Sequence, residues 1–248
     1  MRNTDMTPLI LANATEAANA VAERIITLLQ DKPDAVLGLA TGATMEPVYH
    51  ALIGAHRAGR VSFSRALSFN LDEYVGLHPT HPGSYRSTMN RLLFDHVDID
   101  LSRTHVPDGM ASDIERAAAD YEQQIAEAGG IDLQLLGIGR NGHIGFNEPG
   151  SPLESRTRQV RLHAETLAAN RTFFADARVP ETAITMGIAT ILSARSIVVL
   201  ATGAAKQAAV AEALAGRFDA ACPASALSAH GDVTWILDSA AAPGARAA

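Results

Sequence analysis

The stretch Leu135–Gly150, LLGIGRNGHIGFNEPG, holds the densest group of residues able to move a proton. His143 and Glu148 stand five residues apart in a glycine-rich run, with Asn141 close by. An imidazole and a carboxylate at this spacing suit general acid–base work. Leu135, Leu136 and Ile138 read as a buried strand, so the group leaves that strand's carboxyl end. Open α/β sheets bind ligands at such ends. The plain alternative is a glycine-rich turn whose polar residues only cap a helix.

Four other segments carry chemistry-bearing side chains. Thr41-Gly42-Ala43-Thr44 follows the apolar run AVLGLA. It offers free backbone N–H groups and two hydroxyls at a helix start, which is a geometry for phosphate. No Walker lysine follows and no dinucleotide fingerprint fits, so an ordinary turn remains open. Asp72, after ALSFNL, stands where a base would stand, or it solvates a loop. Lys206 follows the strand SIVVLAT and Gly203; lysine, glycine and helix start together could meet an anion. Arg156, Arg158 and Arg161 suggest a strand with one cationic face, against a default of plain surface charge.

Alternating elements position these groups. Helical periodicity predicts helices over 14–31, 46–57, 84–96, 112–128, 165–174 and 204–215, with Ser84 as a cap. Short apolar runs predict strands over 35–40, 66–71, 132–138, 183–186, 196–202 and 233–237, with a helical turn over 187–192. This alternation implies one α/β domain over 1–248, a mostly parallel, Rossmann-like sheet with helices on both faces. The small, polar tail over 240–248 is expected to fray.

A net charge of −7 without a basic stretch argues against nucleic acid as a partner. The one cysteine, Cys222, excludes an internal disulfide and a cysteine zinc site, and reads as a small buried hydrophobe. No signal pattern opens the chain and no apolar run approaches a membrane span, so a soluble cytoplasmic protein is expected.

The chain resembles the glucosamine-6-phosphate deaminase family along nearly its whole length, through LGLATGAT, SFNLDEYVGLHPTHPGSY, LLGIGRNGHIGFNEPGS and SRTR in that order. The resemblance implies conversion of glucosamine 6-phosphate and water to fructose 6-phosphate and ammonia in amino-sugar catabolism, without metal or other cofactor. A reaction that consumes water is expected to class as a hydrolase. Asp72 is implied as the base moving a proton between C2 and C1, and His143 as the group opening the ring at O5. Glu148 is implied to support His143, while the 41–44 turn and Lys206 hold the phosphate.

Two residues depart from relatives of this kind. Asn141 stands where some members carry an aspartate; it can orient His143 but cannot carry a proton. Arg171 stands one position earlier than a phosphate-binding arginine of many relatives, and is still expected to bind the phosphate through a small shift of its helix. The chain also stops soon after VTWILD, and Gln159 and Val160 next to Arg158 break the basic pattern of an allosteric pocket. Little activation by N-acetylglucosamine 6-phosphate is expected. The segment 151–174 is a candidate lid. Rival readings are a 6-phosphogluconolactonase-like hydrolase and a non-catalytic sugar-phosphate sensor. The choice between the glucosamine and galactosamine substrates, and between monomer and homo-oligomer, stays open.

Overall fold

A computed structural model describes residues 7–163, 166–168, 171, 174 and 179–244. The expected helix over 165–174 falls partly outside these, and residues 166–168 within it are helical. The elements are β1 (Leu9–Leu11), α1 (Ala14–Asp31), β2 (Val36–Leu39), α2 (Glu46–Arg57), β3 (Leu67–Asn70), β4 (Asp72–Tyr74), α3 (Tyr85–Leu92) and β5 (Thr104–His105). There follow α4 (Ile114–Glu127), β6 (Leu133–Gly137), β7 (Arg158–Arg161), β8 (Thr182–Thr185), α5 (Ile188–Leu192), β9 (Ser196–Ala201), α6 (Gln207–Ala213) and β10 (Val233–Asp238).

Seven strands form one parallel sheet in the order β1-β10-β9-β6-β2-β3-β5. Its central strands are apolar because both faces are covered: VLGL of β2 is fully buried, as are most of β6 and β9. The helices start where the local chemistry starts them. Asn13, Ser84 and Asp113 each accept a hydrogen bond from a backbone N–H in the first turn of α1, α3 and α4. At Gly38 the close approach is obligatory, because an added Cβ would lie 2.1 Å from the Gln134 amide oxygen on β6.

From β2 the chain builds outward through β3 and β5; it then returns to β6 on the other side of β2 and builds toward β9 and β10. The order therefore reverses between β2 and β6. That reversal opens a crevice at the strands' carboxyl ends, where a ligand is expected in such sheets.

The expectation of a single mostly parallel sheet holds for the seven strands. A second, three-stranded antiparallel sheet, β4-β8-β7, was not legible in the sequence. Asp72–Tyr74 is thus a strand of the small sheet and not the tail of β3. The hinge is Leu71, whose N–H donates to Leu39 O of the large sheet while its carbonyl accepts from Met186 N after β8. The single cationic face also fails. Arg158 and Arg161 are separated by an odd number of residues on β7, so they fall on opposite faces. Arg156 reaches Glu122, Arg158 reaches Asn147 and Ser151, and Arg161 reaches Glu181.

The 240–248 tail is not frayed where it is described. Ala241 and Ala242 are buried, and Gln207 Nε2 donates to Ala242 O at 2.9 Å. Cys222 is buried as expected. Among the described residues no helix is long and apolar enough to cross a membrane.

Candidate active site

One cavity of about 410 Å³ lies at the switch point, a size that suits a small ligand. The 41–44 turn after β2, Asp72 after β3, the loop after β6 and Lys206 after β9 all line it. These four loops leave four neighbouring strands of the large sheet. The parallel topology itself therefore gathers residues far apart in the chain.

Asp72 is nearly fully buried, and among the described residues no hydrogen bond reaches its carboxylate. Desolvation, then the charge of Glu73, push its pKa well above the ordinary carboxylate range. Its neighbour Glu73 has a different task. Glu73 accepts the backbone N–H groups of Tyr74, Tyr85 and Arg86 at 2.8 to 3.0 Å, two of them at the start of α3. Burial raises its pKa, and those three donors oppose the rise. Glu73 is thus a structural anion at a helix N-terminus, and Asp72 is the carboxylate left facing the cavity.

The loop after β6 forms a chain of contacts leading away from the cavity. His143 N–H donates to Asn141 Oδ1 at 3.3 Å, and the His143 ring atom Nδ1 lies 2.7 Å from that oxygen. Asn141 Nδ2 donates to Glu148 Oε2 at 2.9 Å. Glu148 can only accept here, and the backbone N–H of His143 can only donate, so the amide has one consistent orientation. Asn141 Oδ1 then faces Nδ1, which must carry a hydrogen, and Nε2 of the neutral ring is left as the proton acceptor. His143 and Asn141 line the cavity, while Glu148 lies behind them.

Burial opposes the charge of Glu148, but bonds from His143, Thr166 and Asn141 outweigh it and bring its pKa from 4.5 to about 2. Thr166 Oγ1 donates to Glu148 Oε1, and His143 Nδ1 lies 3.5 Å from Oε2. Asn141 therefore does orient His143, as its residue type suggested. Gly145 brings this loop against the base: its φ is +55°, and an added Cβ would lie 3.1 Å from Thr185 Oγ1 and 3.3 Å from Asp72 Oδ2.

All four residues Thr41, Gly42, Ala43 and Thr44 line the cavity, beside a single 3-10 turn over Ala43–Met45 that leads into α2. Asn70 Nδ2 donates to Thr41 Oγ1 at 3.3 Å. Lys206 lies in a matching turn before α6, and its Nζ donates to Ile138 O at 2.6 Å. Burial, then the nearby Arg140, lower its pKa. Gly203 does not present a free donor to an anion, because its N–H faces both Asp238 carboxylate oxygens at 3.0 Å. Arg171 is exposed and does not line the cavity; its neighbours Asn170, Thr172 and Phe173 lie outside the described residues.

Sequence reasoning missed several neighbours. Tyr74, Tyr85, Phe146 and Phe174 stack into one aromatic wall, with ring centroids 5.0 to 5.9 Å apart. Arg91 and Arg140 line the cavity without any named role. Thr166, which holds Glu148, sits in a segment read only as a helix, with nothing to mark it as a site residue. Only Arg140 carried a signal, namely its place beside Asn141 in the glycine-rich loop.

Taken with the sheet's switch point, a cavity of this size and chemistry defines an α/β enzyme acting on a small molecule. A family model described as glucosamine-6-phosphate isomerases/6-phosphogluconolactonase matches residues 11–235, and the chain belongs to that family. A glucosamine-6-phosphate deaminase of Shewanella loihica is 53% identical over 235 residues, covering 94% of this chain and 88% of the relative. One of Hahella chejuensis is 54% identical over 236 residues, covering 94% and 90%. A solved monomeric glucosamine-6-phosphate deaminase is 44% identical with a TM-score of 0.92, covering 95% of this chain and 98% of its own. These matches correct one expectation: they place the chain among isomerase-type deaminases, not hydrolases.

Proposed function

We propose that this chain converts glucosamine 6-phosphate and water to fructose 6-phosphate and ammonia. One observation carries the reading. A single cavity joins a desolvated carboxylate, without a hydrogen-bond partner among the described residues, to an imidazole whose tautomer is set by Asn141. Aldose–ketose isomerisation needs both, for separate steps. Relatives named for this deamination, more than 50% identical over nearly the whole chain, support it.

The closed sugar docks with its phosphate at the 41–44 turn and Lys206, which fixes the reacting carbons at a distance from the anchor. His143 Nε2 takes the proton of the O1 hydroxyl and returns it to O5. The C1–O5 bond breaks and C1 becomes an aldehyde. The imidazolium formed in passing is stabilised by Glu148, while Asn141 keeps Nε2 directed at the sugar. Asp72 then takes the C2 proton; the C–H electrons form the C1=C2 bond, the C1=O1 π electrons move onto O1, and O1 takes a proton from the substrate's own ammonium, giving an enolamine. The same carboxyl returns the proton to C1, leaving an imine at C2. Water adds to that imine and ammonia departs. A base with a raised pKa suits a weakly acidic carbon better than an ordinary carboxylate.

Thr166 and Phe174 bring the 151–174 segment to this site, which supports its reading as a cover over bound sugar. Slower proteolysis of that segment with substrate present tests this; an unchanged rate rejects it. The central experiment measures ammonia and fructose 6-phosphate released from glucosamine 6-phosphate, beside its C4 epimer and 6-phosphogluconolactone. Release from the amino sugars supports the proposal, and hydrolysis of the lactone alone overturns it.

A further inference from the structure

Arg140 lines the cavity from the loop after β6, and among the described residues its guanidinium has no hydrogen-bond or ion-pair partner. Three observations give that side chain a use. In the sheet, β6 lies between β9 and β2, so its loop emerges between the Lys206 turn and the 41–44 turn. An anion bridging those two turns would meet the loop that carries Arg140, which lines the same cavity. The amine of Lys206 is itself bonded to Ile138 O, two residues before Arg140, so two cations converge on one loop. Finally, Arg171 is exposed and away from the cavity lining.

Resting on the sugar-phosphate reading of this cavity, we propose that Arg140 binds the 6-phosphate together with Lys206. A phosphate monoester carries about −1.5 to −2 charges at pH 7, which one ammonium leaves unbalanced. A guanidinium supplies the second charge and a planar fork matched to two phosphate oxygens. The substrate's covalent structure agrees. O5 and C6 are both attached to C5, so a loop that sets His143 at O5 passes close to the phosphate on C6. Arg140 and His143 then hold neighbouring parts of one sugar from one loop. Two neighbouring positive charges also favour an anion that relieves them; burial first, and then the charge of Arg140, lowers the pKa of Lys206.

The test uses Arg140→Gln, Arg140→Lys and a charge control, Arg116→Gln, whose side chain is exposed on α4 and paired with Asp120. Two quantities are read: steady-state kinetics with glucosamine 6-phosphate, and the affinity of the intact protein for inorganic phosphate by calorimetry. Arg140→Gln is expected to raise KM and the phosphate Kd by about tenfold or more, with kcat changed less than about threefold. Arg140→Lys recovers part of the loss, and Arg116→Gln changes neither quantity. Unchanged KM and Kd in Arg140→Gln, or equal effects in Arg116→Gln, overturn the proposal. If the native chain fails to turn over the amino sugar while phosphate affinity still depends on Arg140, the activity reading falls and this one stands. Turnover with phosphate affinity indifferent to Arg140 is the converse.

Discussion

Asp72 and Glu148 are both nearly buried carboxylates at one site, yet their surroundings drive them in opposite directions. Burial penalises the charge of each. Glu148 recovers that penalty through Thr166, Asn141 and His143, whereas among the described residues no donor reaches Asp72. The difference teaches that burial alone does not assign a role; the count of donors does. A carboxylate surrounded by donors stays ionised and holds a neighbour in place. A carboxylate without them keeps a high proton affinity and does chemistry.

The largest expected effect that tests this contrast is at Asp72. Asp72→Asn is expected to lower kcat by roughly a thousandfold, as for loss of a general base. It is also expected to melt at a higher temperature than the native chain above neutral pH. The folded chain binds the Asp72 proton more tightly than the unfolded chain. That contribution is full below the unfolded pKa and is lost as pH rises through the raised folded value. Thermal melts from pH 5 to 8 should show the gap in favour of Asp72→Asn widening upward. A gap that narrows with pH would break the comparison.

His143→Gln comes next, with kcat expected to fall by about a hundredfold because ring opening loses its shuttle. Normal turnover would remove His143 from the mechanism. Glu148→Gln is expected to cost about tenfold in kcat, since the passing imidazolium loses its counter-charge. Its stability signature has the opposite sign to that of Asp72. The Glu148 contribution is present above 4.5 and fades as pH falls toward about 2, so acid melts of Glu148→Gln should depend less on pH in that window. If Glu148→Gln proved more damaging to turnover than Asp72→Asn, the two roles would be reversed. The smallest effect is expected at Asn141→Ala, a few-fold fall in kcat, as one neutral hydrogen bond to the ring is lost. Imidazole nitrogen shifts should show the Nδ1–H tautomer of His143 giving way to a mixture; an unchanged tautomer would deny Asn141 its orienting part.

The central strands of the large sheet and the groups on their loops were legible because their signals are local, whereas the short edge strands β1 and β5 gave none. VLGL, LQLLG and SIVVLA are apolar runs between turn residues, and Ser84 stands just before a helical period. In the small sheet a strand at 183–186 and one through Arg158 and Arg161 were expected, but DEY and the pairing of the three were not, because DEY and RQVR show no apolar alternation. Those segments become strands only through pairing with TAIT of β8, a partner distant in the chain. Site geometry divides along the same line. Residue type and position marked Asp72 and His143, and resemblance supplied their tasks. The donors that separate Asp72 from Glu148 come from Thr166 and Asn141 by tertiary contact, and no spacing announces them.

Leu71 joins two sheets that hold different halves of the site. The proposed phosphate turn, Lys206 and His143 ride on loops of the large sheet, whereas the proposed base is the first residue of the small one. Descent with modification can therefore act on the two halves separately. A substitution in the three-stranded sheet falls beside the proposed base, and one on the loops of the large sheet falls beside the proposed phosphate anchor and the imidazole.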